Sequence, residues 1–193
     1  MTGAGVHGSP PARGRPIEFL YGPLTRFGLI VAVLVGAVDQ AVKLWLLFGF
    51  DLANRGIVKL TPFLSLVLTW NTGISYGWFP QESDLGRFVL LALKLGAVVV
   101  LWVWLARAES RLTALALGLI IGGAFGNAID RLAHGAVMDF VLFHITTPTF
   151  KFTWYVFNLA DAAIVAGVLG LLYESLFRGA APDGVPQKRP DPP

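Results

Sequence analysis

The chain has 193 residues, 55% of them apolar and only 14% charged, with a mean hydropathy of +0.65 and a formal charge of +3. That composition excludes an ordinary soluble domain, and at about 20 apolar residues per crossing it allows about four membrane-spanning helices and no second domain. With no cysteine, disulfides, thiolate metal sites and a cysteine nucleophile are excluded. The basic residues sit in small groups beside apolar stretches, which is topology information and not a nucleic-acid footprint.

Residues 1–24, with Pro10, Pro11 and Pro16, lack apolar periodicity and are expected to form a flexible cytoplasmic tail. A four-span domain is expected over 25–178, followed by a disordered cytoplasmic tail over 179–193. The first span, about 27–48, is longer than a signal-peptide core, and no small-residue cleavage site follows it, so it is expected to be retained. The second, third and fourth spans are expected at about 85–106, 112–129 and 154–177. Arg13, Arg15 and Arg26 precede the first span, Arg107 and Arg111 lie between the second and third, and Arg178, Lys188 and Arg189 follow the fourth. The excess of cations at these ends places both termini in the cytoplasm and the two longer connections outside.

Those connections hold β-prone stretches: Ile57 to Leu60 and Phe63 to Trp70 in the first, Phe140 to Phe143 and Phe150 to Thr153 in the second. The fold expected is therefore an all-α membrane protein, four transmembrane helices with a small periplasmic β-strand platform. Trp70, Tyr76, Trp78, Phe79, Trp154 and Tyr155 crowd the same edge, as an interfacial aromatic belt does. In the third span Gly118, Gly122 and Gly126 form a small-residue seam that Asp130 continues. Ala162, Ala166 and Gly170 make a comparable row on the fourth, in register with Asn158, so these two helices are expected to pack together and bring their polar outer ends into contact.

Polar residues in such a chain need reasons. Asp39 and Lys43 share a helical face four residues apart, as an ion pair or with Lys43 snorkelling to the interface. Asn127 stands at helical spacing from Asp130 and Arg131, and an ion-pair network fixing the helix end is the leading structural expectation there. Asp139 lies among apolar residues near the outer surface, and Asn158 and Asp161 share a face where the fourth span opens. Two acids close together in a low-dielectric setting cannot both ionise easily, so they share a proton and titrate as a unit. Such a pair can activate water and polarise a peptide carbonyl without any nucleophilic side chain. Ser65, Ser75 and Ser83 have no base nearby in sequence, and His134 and His144 lack metal-binding spacing, which disfavours a serine or zinc hydrolase. Following the strands, Asn71 can hydrogen-bond a substrate backbone that Gly73 allows to approach, or the box is only a turn.

Taken in order, Asp39-Gln40 with Lys43, Asn71-Thr72-Gly73, Gly126-Asn127 with Asp130-Arg131, Asp139-Phe140, and Phe157-Asn158 with Ala160-Asp161 resemble the lipoprotein signal peptidases, also called signal peptidase II. The resemblance covers about residues 27–177. It implies an aspartic endopeptidase of the bacterial inner membrane, active toward the periplasm, with Asp139 and Asp161 as its catalytic dyad. Asp39, Lys43, Asn71, Gly73, Asn127, Arg131 and Asn158 would be supporting positions and Asp130 a structural acid. The implied substrate is a diacylglyceryl-modified prolipoprotein, cut on the N-terminal side of the lipidated cysteine. The implied enzyme is a monomer in contact with membrane lipid, with no metal, organic cofactor or nucleic-acid partner. Tyr76, Met138 and a slightly long Asp139-to-Asp161 connection depart from the family pattern. Beside this stand a cation-coupled transporter using Asp39, Asp130 and Asp161, a Mg²⁺-dependent lipid transferase using Asp130, Asp139 and Asp161, and a purely structural four-helix protein.

Overall fold

A computed structural model describes residues 20–72 and 96–177. Helix α1 (Thr25–Leu44) runs into a π-helical turn, Trp45–Gly49. Its buried positions, Thr25, Gly28, Ala32, Gly36, Asp39 and Lys43, recur every three or four residues and so form one stripe. Small residues at the start of that stripe allow close helix contact, and charged ones end it. The other faces carry exposed Ile30, Val33, Leu34 and Val38, as a lipid-facing surface does. After the short helix α2 (Leu52–Arg55) come strands β1 (Val58–Thr61) and β2 (Leu64–Asn71). Helix α3 (Gly96–Ala106) leads to α4 (Arg111–His134), whose N-cap Ser110 accepts a hydrogen bond from the Thr113 N–H at 3.0 Å. Strands β3 (Val137–Thr146) and β4 (Lys151–Thr153) precede the last helix, α5 (Leu159–Phe177).

Among the described residues, three helical segments are long and apolar enough to cross a membrane: 25–49, 111–134 and 159–177. Of the second expected span only Gly96–Ala106 is described, and residues 85–95 lie outside the described set. The third span is longer than expected, because α4 continues past Ile129 through Asp130 and Arg131 until Gly135 caps it in the left-handed conformation, φ 73°. The fourth starts later than residue 154. Phe157 instead pairs with Val141 through N–H to O contacts of 3.0 and 2.8 Å, which holds the backbone extended up to Asn158.

The strand segments of the two connections form one antiparallel sheet in the order β1-β2-β3-β4. Its inner face, with Leu66, Leu68, Met138 and Phe140, packs on Leu46 from the π-helical turn and on Leu52 from α2. This packing draws β3, and Asp139 on it, across the end of the helices.

Helix α4 lies between α1 and α5; it packs on α5 as expected, with Asn127 meeting Asn158 and Asp161 at their polar ends, while its glycine seam faces α1. A methyl group at Gly118 or Gly122 would strike the carbonyl of Gly28 or Ala32, so the seam faces α1. Contact with α5 uses Gly123 against Ala160 and Ile164, and Gly167 against Ala116 and Ile120. The small residues of α1 accept the seam more closely than the Ala162-Ala166 row does, because α1 presents glycine at 28 and 36 and alanine at 32 along its buried stripe.

Candidate active site

Two groups of acids meet where α1, α4, β3 and the first turn of α5 converge. The first centres on Lys43, which is 2% exposed: its Nζ lies 2.7 Å from Asp39 Oδ2 and 2.7 Å from Asp130 Oδ2. Lys43 is therefore a buried bridge and does not snorkel. It also donates to Asn127 Oδ1 at 3.4 Å. Gln40 Nε2 donates to Asp130 Oδ1 at 2.8 Å and to the Gly126 carbonyl at 3.0 Å. Asp39 Oδ1 accepts from the Ala160 N–H at 3.0 Å, and Asp130 Oδ2 from the Met138 N–H at 3.0 Å.

The second group holds Asp139 and Asp161. Asn158 and Asp161 form a reciprocal helix cap, the Asp161 N–H donating to Asn158 Oδ1 at 2.9 Å and the Asn158 N–H to Asp161 Oδ2 at 3.2 Å. Asn127 Nδ2 donates to the other oxygen, Asp161 Oδ1, at 2.8 Å. Asn158 Nδ2 donates to Asp139 Oδ1 at 2.7 Å and to Asn127 Oδ1 at 3.1 Å, while Asn71 Nδ2 donates to Asp139 Oδ2 at 3.1 Å. Asp139 is buried and Asp161 half-buried. Desolvation pushes the Asp139 carboxyl above the ordinary carboxylate value and the charge of Asp161 adds to it, against the amide hydrogen bonds of Asn71 and Asn158 and the charge of Lys43.

Seven of the expected positions, Asp39, Lys43, Asn127, Asp130, Asp139, Asn158 and Asp161, thus join one hydrogen-bonded network with Asn71 at its edge. Among the described residues no buried side-chain nitrogen or oxygen lacks a partner. The expected Asp130–Arg131 network takes another form. Asp130 turns inward to Lys43, and the side chain of Asn127 meets Lys43, Asn158 and Asp161 in place of Asp130 and Arg131. Adjacent helical residues diverge by about 100°, so Asp130 can face the interior only if Arg131 does not. Arg131 is exposed and its guanidinium donates to the Asn127 carbonyl at 3.4 Å. Gly73 lies outside the described residues, as do Ser75, Tyr76, Trp78, Phe79 and Ser83.

Sequence reading passed over Gln40 as a separate member of the network. An amide beside Asp39 on an apolar helix was the available signal. It also left Ser65 without a base, whereas His144 Nε2 lies 2.8 Å from Ser65 Oγ across β2 and β3. Ser65 is 1% exposed, so this contact ties two strands together and presents no nucleophile. The division of the acids bears on the transferase alternative as well. Asp130 is engaged by Lys43, Gln40 and Met138, away from the amides that hold Asp139 and Asp161.

Comparison with known proteins identifies the family. Residues 31–177 match a family model described as signal peptidase (SPase) II. The chain is 60% identical over 156 residues to a lipoprotein signal peptidase of Nitrobacter hamburgensis, covering 81% of this chain and 95% of that one. It is 57% identical over 151 residues to a lipoprotein signal peptidase of Methylorubrum extorquens, covering 78% and 86%. A solved structure described as a bacterial membrane enzyme shares the fold with a TM-score of 0.61 at 24% identity, covering 84% of this chain and 95% of that one.

Proposed function

The chain belongs to the signal peptidase II family, and on that premise we propose that Asp139 and Asp161 are the catalytic dyad of an intramembrane aspartic endopeptidase. Family membership makes it a protease of the bacterial inner membrane that removes signal peptides from prolipoproteins. The substrate in this reading carries a diacylglyceryl group, and the bond cut is N-terminal to the lipidated cysteine, on the periplasmic side.

The observation that carries the reading is the pair of carboxylates held by neutral amide donors around one shared residue, Asn158. Amides orient a carboxylate without neutralising it, so the pair is left to hold a proton between its members. The raised carboxyl of Asp139 suits it to be the protonated partner. The opposite carboxylate then takes a proton from water as the oxygen attacks the scissile carbonyl carbon. Asp139 gives its proton to the developing oxyanion, and the resulting gem-diol collapses as Asp139 takes one hydroxyl proton back, the C–N bond breaks and the departing amine takes the proton that the opposite carboxylate had removed from water. Both roles fall to the chain's own residues. In the resting site the amides of Asn71, Asn127 and Asn158 fix where the carboxylate oxygens lie before substrate arrives.

A purified-protein assay tests this with a diacylglyceryl-modified precursor and its unlipidated twin, using wild type, Asp139→Asn and Asp161→Asn. Cleavage of the lipidated form by wild type alone, with both variants still folded, is expected. Normal turnover by either variant overturns the assignment.

A further inference from the structure

The Lys43 cluster touches the proposed dyad in three places, and each contact falls at a position that controls dyad geometry. Asp39 holds the N–H of Ala160, the residue immediately before Asp161. Asp130 holds the N–H of Met138, the residue immediately before Asp139. Lys43 spans the two acids at 2.7 Å on each side, so it sets how far apart they lie, and through them how far apart the two backbone segments lie.

The third contact concerns direction. An ammonium has three protons and no acceptor, and here they meet Asp39 Oδ2, Asp130 Oδ2 and Asn127 Oδ1. With its oxygen on the lysine side, Asn127 must turn its NH₂ to Asp161. The reversed amide would set NH₂ against the ammonium and against the Asn158 NH₂, and would set its oxygen against the Asp161 carboxylate. Every link from Lys43 through Asn127 to Asp161 then runs donor to acceptor.

We propose that Lys43 is a positioning residue for the dyad, fixing the separation of its two backbone segments and the orientation of the Asn127 amide that holds Asp161. It does not touch the reacting atoms. This inference rests on the dyad reading and predicts a loss of turnover in the folded protein, over and above the loss of stability that breaking a buried ion pair brings.

The test uses the full chain in detergent or nanodiscs with lipidated precursor, and corrects rates for the folded fraction. Lys43→Met should lower kcat by about 10- to 100-fold, the usual worth of a hydrogen bond to a charged group, with KM within about threefold. Leu117→Ala removes a side chain from the separate apolar cluster with Leu105, Ala108 and Ala114, away from both acid pairs, and serves as the control for destabilisation alone. It should leave kcat of the folded fraction within about threefold of wild type. In an Asn127→Leu background, Lys43→Met should cost less than it does in wild type, because one of its two routes to the dyad is already gone. Should Lys43→Met fail to fold, the charge-conserving K43M/D130N double variant takes its place. Wild-type kcat in the folded lysine variant, or equal fractional losses in the wild-type and Asn127→Leu backgrounds, overturns the inference. A wild-type protein that does not cleave the precursor overturns the dyad reading instead.

Discussion

Asp39 and Asp130 flank one lysine; Asp139 and Asp161 flank one asparagine. Both pairs lie at the same end of the bundle, each carboxylate has two or more donors, and the two sets are joined through Asn127. The difference is the kind of donor at the centre. Lys43 supplies a positive charge within 2.7 Å of both acids, so its pair serves as a frame. Asn158 supplies direction with no charge, and in the reading proposed above the pair it holds carries the chemistry. Identical side chains in adjoining positions are thereby given different chemistry by their neighbours.

Giving the second pair what the first one has should break this contrast with the largest effect. Asn71→Lys puts an ammonium beside Asp139 Oδ2, where an amide now stands 3.1 Å away. The Asp139 carboxyl should then stay ionised, and cleavage of lipidated precursor should fall about 100-fold or more, the range in which general acid catalysis contributes. Circular dichroism and thermal unfolding should show a folded protein. Retained activity would mean that the neutrality of the donors is not what matters.

Taking a carboxylate from the first pair should instead act on stability. Asp130→Ala leaves Lys43 with one carboxylate and strips the Met138 N–H and Gln40 of an acceptor. Breaking a buried pair by removing one partner typically costs about 3–5 kcal/mol, and thermal unfolding in detergent should register a loss of that order. A change below about 1 kcal/mol would remove Asp130 from the frame.

The contrast between the pairs was only half legible in the sequence. Acids, amides and a lysine in an apolar chain mark themselves by their cost, and each of the helical ones could be put on a face from local spacing alone. Which acid meets which donor depends on contacts between residues far apart in sequence. Asp130 was assigned to the adjacent Arg131, yet Lys43 fills that role from another helix. The strand segments were visible from β-prone runs bounded by Gly56, Pro62 and Asn71, but nothing local says that both connections build a single sheet. The glycine seam was visible too, and its partner was not. A row of small residues states that something approaches closely and is silent about what.

Glycines on the two faces of α4 offer a smaller, sharper probe. A Cβ at Gly118 meets α1 at Gly28, away from both acid pairs, whereas a Cβ at Gly123 collides with the carbonyl of Ala160, on the turn that carries the Asp39 contact and Asp161. Gly118→Ala and Gly123→Ala should each cost about 1–3 kcal/mol of stability by overpacking. Only Gly123→Ala should also lower kcat of the folded fraction, because the displaced turn bears one member of the second pair.

The smallest effect is a pH dependence that belongs to Asp139. Burial, with the charge of Asp161 in support, raises its carboxyl above the ordinary 3.8, so the folded state holds that proton more tightly than the unfolded chain does. The stabilisation is fully present below the ordinary value and is lost as pH rises through the raised one. Asparagine cannot titrate. The stability of Asp139→Asn relative to wild type should therefore increase as pH is raised from about 4 toward neutrality, by about 1.4 kcal/mol for each pH unit of elevation. Any fixed cost of exchanging an oxygen for NH₂ beside Asn71 and Asn158 appears equally at every pH and cancels from the slope. A flat difference across that range would show that the amides and Lys43 fully offset burial, and the second pair would then differ from the first in shape but not in charge.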